Sequence, residues 1–200
     1  MNRTQRACLI SFLVAGWPLM AGGEVGVLVD KQVGQSQAGY TASGDFASYD
    51  AFKPSGVGIR VGVDLLDLWA AKLGITATYR GKGEVNLVRD LAKIGKLGEE
   101  YLAVGAQFDW TLLVNLHAGA EIRAEKLTEE SSVSSGYTYY TRPWVKVGAG
   151  FNLPLPVLKP FIRLEIAAPI TYDKATNTVE DIRRSLAPRY QIVLYGGIRF

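Results

Sequence analysis

Two hundred residues, 48% of them apolar and 20% charged, amount to about one domain and exclude both a disordered chain and a helical membrane bundle. The 22 glycines exceed what a helical protein tolerates, since each glycine inside a helix costs roughly 0.8–1 kcal/mol relative to alanine. The net charge is +3, and two of the cations, Arg3 and Arg6, fall in a segment expected to be removed, so the balance excludes nucleic acid as a partner.

Residues 1–23 read as a secretory signal peptide. Arg3 and Arg6 give a positive start, Leu9–Ala15 is apolar but too short to cross a bilayer, and Ala21-Gly22-Gly23 supplies small residues for cleavage. Cys8, the only cysteine, lies within it, so the mature chain carries no thiol. No later segment reaches the ~18 uninterrupted apolar residues of a helical span. A membrane form must therefore cross as strands.

Residues 24–200 are expected to form one β-barrel. Apolar residues recur at every second position, the period of a strand with two unlike faces. Val25, Val27 and Val29 open the series. Val57 to Leu65 alternates with Gly58, Arg60, Gly62 and Asp64; Leu73 to Tyr79 alternates with Lys72, Gly74, Thr76, Thr78 and Arg80. Leu102 to Trp110 and Leu116 to Ala124 follow, the latter opposed by His117, Gly119, Glu121, Arg123 and Glu125. Val145 to Phe151 opposes Lys146 and Gly148, and Ile162 to Ala168 opposes Arg163 and Glu165. Tyr190, Ile192, Leu194, Ile198 and Phe200 oppose Arg189, Gln191 and Arg199. The count is about eight.

The connections alternate in length. Leu66–Ala70, Thr111–Val114 and Leu153–Lys159 are short. Val33–Ser55, Gly81–Leu97, Lys126–Tyr140 and Thr171–Ala187 are long and polar. An antiparallel up-and-down meander then places every long loop at one end, the asymmetry of transmembrane barrels with short periplasmic turns and long external loops. Within the second long link, Glu84–Ile94 has apolar residues at helical spacing; a surface helix, an irregular loop and extensions of the flanking strands all remain open.

The polar face decides what fills the barrel. It mixes glycines with Arg60, Lys72, Arg80, Arg123, Lys146, Arg163, Arg189 and Arg199 and with Asp64, Asp109, Glu121, Glu125 and Glu165. Glycine leaves room for a long charged side chain reaching from the next strand, and both signs together imply a plugged lumen and no open channel. Arg60, Glu121, Lys146, Arg163 and Glu165 are expected to be neighbours near mid-height. Trp69 and Trp110 beside the short turns, with Tyr79, Tyr139, Tyr140 and Tyr172 near the long loops, approximate two interfacial girdles.

The signal-like start, the eight two-faced runs and the closing stretch Tyr190–Phe200 (YQIVLYGGIRF) together resemble the OmpA/OmpX-type family of small outer-membrane barrels. The resemblance implies that Tyr190, Leu194, Ile198 and Phe200 form a C-terminal signal read by the barrel-insertion machinery. It also implies periplasmic chaperones in transit and a final place in the outer membrane of a Gram-negative envelope.

Chemistry is sparse. His117, the only histidine, reads as a structural lumenal residue. A lipid-modifying barrel resembling the lipid A deacylases would carry a serine two residues later, where Gly119 stands. One histidine and no mature cysteine leave no readable metal site, and no cofactor is implied. Lys82, Arg89, Lys93 and Lys96 are candidate contacts for lipopolysaccharide phosphates. The expected role is thus non-enzymatic and structural or surface-interacting. Its rivals are a narrow porin-like transporter, a lipid-modifying enzyme and a secreted lipocalin-like barrel, and oligomeric state is not encoded in any readable pattern.

Overall fold

The computed structural model describes residues 22–34, 37–40, 46–49, 54–68, 70–89, 92–111, 114–131, 135–153, 155, 158–171 and 187–200. The signal segment before Gly22, Trp69 and most of the last long link, Tyr172 included, lie outside them. Every element is a strand: β1 (Gly23–Val33), β2 (Gln37–Tyr40), β3 (Phe46–Tyr49), β4 (Ser55–Leu68), β5 (Ala71–Arg89), β6 (Ala92–Thr111), β7 (Asn115–Ser131), β8 (Ser135–Asn152), β9 (Lys159–Pro169) and β10 (Tyr190–Arg199). Eight of them close a barrel in the order β1-β10-β9-β8-β7-β6-β5-β4, and β2 and β3 form a separate hairpin in the first long link. All neighbours are antiparallel. Closure is fastened where the first and last strands of the barrel meet: Gly23 N–H donates to Phe200 C=O at 2.9 Å and Phe200 N–H to Gly23 C=O at 3.0 Å.

The register fixes the shape. From Gly150 the pairing runs to Arg163, Tyr195, Leu28, Gly58, Arg80, Tyr101 and Glu125 and returns to Tyr140, ten residues from its start. A stagger of ten over eight strands tilts each strand about 40° from the axis, so one residue climbs about 2.5 Å. Outward positions are apolar and exposed from Leu65, Trp110, Phe151 and Phe200 at the short-turn end to Val57, Tyr79, Ile122 and Ile170 at the other. This band is about 25 Å tall, the height of a hydrocarbon layer crossed by strands. A water-facing exterior of that composition would be untenable for a soluble barrel. The molecule is a transmembrane barrel.

Strand length departs from expectation in one place. β1, β9 and β10 are 10 or 11 residues long, enough to cross, whereas β5 to β8 have 17 to 20. The stretch Glu84–Ile94 is therefore no helix: β5 and β6 continue as a hairpin paired out to Arg89 and Ala92. Much of Lys126–Tyr140 is likewise ladder between β7 and β8. The extra residues raise a four-stranded wall about 20 Å beyond the band. A register shift between Arg80 and Gly83 marks its base and resets the face alternation there.

Candidate functional site, the lumenal charge network

Inward positions are set by strand parity, and the stagger sorts them into tiers. At the short-turn end Glu24, Asp64, Lys72, Asp109, Arg163 and Arg199 converge. Arg199 Nη2 lies 2.7 Å from Asp109 and 3.3 Å from Asp64, Lys72 Nζ 3.2 Å from Asp64, and Arg163 Nη1 3.0 Å from Glu24.

The middle tier joins Arg60, Lys146, Glu121 and Glu165. Arg60 Nη1 is 2.5 Å from Glu165 Oε1 and Lys146 Nζ is 3.2 Å from Glu121 Oε2. Each cation is within electrostatic reach of both carboxylates. Arg60 Nε also donates to Thr78 Oγ1 at 3.0 Å. His117 points inward, its Nε2 3.0 Å from Glu165 Oε1. Gly148 makes this possible, because a Cβ there would sit 2.5 Å from the His117 ring.

In the upper tier the guanidinium of Arg123 is stacked between Tyr101 and Trp144, 4.4 and 3.8 Å from their ring centres, while its Nε reaches Glu121 at 2.6 Å. Arg142 Nε bonds Glu125 at 2.7 Å, and Arg80 lies 3.1 Å from Asp30 and 3.4 Å from Glu99. Gln191 donates to Asp30 and to the Tyr101 hydroxyl. Above this tier Leu97, Leu127, Tyr140 and Ala187 form a buried apolar cluster, with Val85 against it.

The tally is eight cations to eight carboxylates among the described lumenal residues, three to three, two to two and three to three by tier. All are buried except Lys72, which is about one-fifth exposed. Buried charges are tolerable only when paired in this way. Among the described residues no group of three or more histidine, cysteine, aspartate or glutamate side chains converges as a metal site.

Of the expected lumen residues, Arg60, Glu121, Lys146 and Glu165 do cluster at mid-height. Arg163 instead reaches down to Glu24 and Asp109, Asp64 belongs with it, and Arg123 serves the tier above. Two positions are corrected. Arg189 is exposed, because β10 begins only at Tyr190. Tyr140 is no interfacial aromatic: it is 8% exposed inside the barrel, since β8 extends past it and parity with Arg142 and Lys146 turns it inward. Trp110 and Tyr79 face outward, as do Tyr190, Leu194, Ile198 and Phe200. Glu24, Asp30, Glu99 and Arg142 were missed by sequence reasoning. For Glu24 and Asp30 the signal was simple parity against Val25, Val27 and Val29. Lys82 and Lys96 are engaged by Glu84 and Glu130 on the wall, and the side chains of Arg89 and Lys93 lie outside the described set.

No protein-family model matches the sequence, and no curated protein matches it. Solved structures do. The crystal structure of Ail, the attachment invasion locus protein of Yersinia pestis, aligns with a TM-score of 0.52 at 14% identity over 90% of this chain and 99% of that one. The chain has the fold of the small eight-stranded outer-membrane barrels. Neisserial surface protein A (NspA) aligns at 0.47 and 11% identity over 88% and 95% of the two chains. At 14% identity the likeness to Ail is one of fold alone. Unrelated activities occupy such barrels, so function must be argued from the lumen and the wall.

Proposed function

We propose that this chain is an integral outer-membrane barrel without an open channel, non-enzymatic, and acting through its structure or through the surface it raises outside the bilayer. The single observation that supports this is the lumenal pairing: eight cations and eight carboxylates among the described residues pair tier by tier beneath an apolar cluster, an interior filled by fixed side chains rather than one lined for ion passage. His117 belongs to that interior, turned away from lipid, which argues against acid–base work on acyl substrates.

The proposed partners are outer-membrane lipid and lipopolysaccharide. The barrel-insertion machinery would read Tyr190, Leu194 and Ile198 on the lipid side of β10 and Phe200 just beyond it, and periplasmic chaperones would carry the unfolded chain. The attachment and invasion in Ail's name belong to Ail; the surface role proposed here rests on the exposed wall of β5 to β8.

Purified protein reconstituted in planar bilayers tests the reading. Silence under applied voltage, with heat-modifiable migration proving insertion, is expected. Steady ohmic conductance would favour the narrow transporter, and a mass change in lipid A on overexpression would favour the enzyme.

A further inference from the structure

Tyr137 and Tyr139 stand out on the wall. Both lie on the outward face of β8, 62% and 63% exposed, while Tyr101, Tyr140, Trp144 and Tyr195 are turned into the lumen. Their rings meet edge to face, 5.3 Å apart at 69°. Lys126 on β7 brings its Nζ to 5.7 and 5.9 Å from the two rings and to 2.9 Å from Glu100 Oε1 on β6. Thr128 continues the Tyr137 row, and beyond it Gly98 lies beneath the Lys82 side chain, which edges the surface that the rings border.

Resting on the outer-membrane reading above, we infer that Tyr137, Tyr139, Lys126 and Glu100 form a binding site for the sugar rings of an outer-leaflet glycolipid. Position supports it: Tyr139 and Tyr137 lie two and four residues beyond Thr141, where β8 leaves the apolar band, so they stand about 5–10 Å higher, at headgroup level. Chemistry selects the sugar over its rivals. A saccharide presents a C–H face that stacks on an aromatic ring and hydroxyls that need both a donor and an acceptor, which Lys126 and Glu100 supply side by side. An acyl chain would strand that ion pair in hydrocarbon. A bare phosphate would favour cations alone, yet on this face Lys82, Lys96 and Lys126 are matched by Glu84, Glu100 and Glu130.

The test compares folded barrel in vesicles of phosphatidylcholine alone, with added lipid A, and with added core-bearing rough lipopolysaccharide, reading the temperature at which the heat-modifiable band converts. Core sugars should raise that temperature by a few degrees beyond lipid A. Tyr137→Ala/Tyr139→Ala should lose this increment while matching wild type in phosphatidylcholine, and Tyr137→Phe/Tyr139→Phe, which keeps the stacking faces, should retain it. No increment from core sugars, or an undiminished one in the alanine pair, would overturn the site. Should the alanine pair not fold, broadening of the Tyr ring signals of wild type in micelles by soluble core oligosaccharide decides, its absence counting against. These outcomes are read on an inserted barrel and leave the channel question untouched.

Discussion

Arg60 on β4 and Glu165 on β9 meet across the lumen, 2.5 Å apart, although β1 and β10 lie between their strands. Removing Glu165 leaves Arg60 buried without its direct ion pair, with Glu121 still within electrostatic reach. Glu165→Gln should cost on the order of 3–5 kcal/mol, read from urea unfolding in lipid vesicles. The double variant Arg60→Met/Glu165→Leu should recover most of that loss. An unchanged midpoint for Glu165→Gln would mean that the pair contributes nothing.

Gly148 is held to glycine by two neighbours. Any Cβ would press on the Leu164 backbone carbonyl and on His117 Cε1 at 2.5 Å and Nε2 at 2.6 Å, and the His117 side chain is fully buried. Gly148→Val should lower the folded yield in micelles sharply. Gly148→Val/His117→Ala, which vacates the ring, should restore part of it.

The stacked Arg123 lies in the lumen between Tyr101 and Trp144 of the two neighbouring strands. Deleting it by Arg123→Ala opens this aromatic constriction while Glu121 keeps Lys146. Single-channel recordings should then show brief low-conductance openings that wild type lacks. Equal silence would place the seal at the apolar cluster of Leu97, Leu127 and Tyr140.

Nitroxides at Val61 and Ile122 should collide readily with oxygen dissolved in lipid and weakly with aqueous quenchers, since both positions face outward within the apolar band. A label on Gln107, which points into the lumen, should show neither strongly. Reversal between the two classes would mean that the faces are assigned wrongly.

On the wall, hydrogen bonds from Lys82 and Lys96 hold the Glu84 carboxyl down from its ordinary 4.5 to about 2. Its folded value being the lower, its contribution is fully present above pH 4.5 and is lost as pH falls through about 2. A carboxyl carbon titration by NMR should show that low midpoint. One near 4.5 would mean that the lysines are not engaged in solution.

Where alternation was strict, sequence and structure agree on element and face, as from Val57 to Asp64 or Leu102 to Trp110. Legibility failed where the two faces stop differing. Above the bilayer, β5 to β8 carry lysine, glutamate and tyrosine outward and glutamate, leucine and tyrosine inward, so no hydropathic period announces a strand. The irregularity after Arg80 further shifts the phase. Tyr140 shows the consequence: treated as the margin of a loop it looks interfacial, but counted back along β8 from Lys146 it must face inward. The mid-height cluster was readable because glycine and charge share one face. Arg163's downward reach was not, because a long side chain chooses its tier through rotamers that parity cannot specify.

The lower tier draws Glu24 from the first barrel strand and Arg163 and Arg199 from the last two. Until those distant stretches dock, each would present a naked ion to acyl chains, at a desolvation cost of several kcal/mol apiece. Assembly should therefore be all-or-none: a half-built sheet has no stable berth in hydrocarbon, and the arrival of β10 both shuts the cylinder and neutralises its floor.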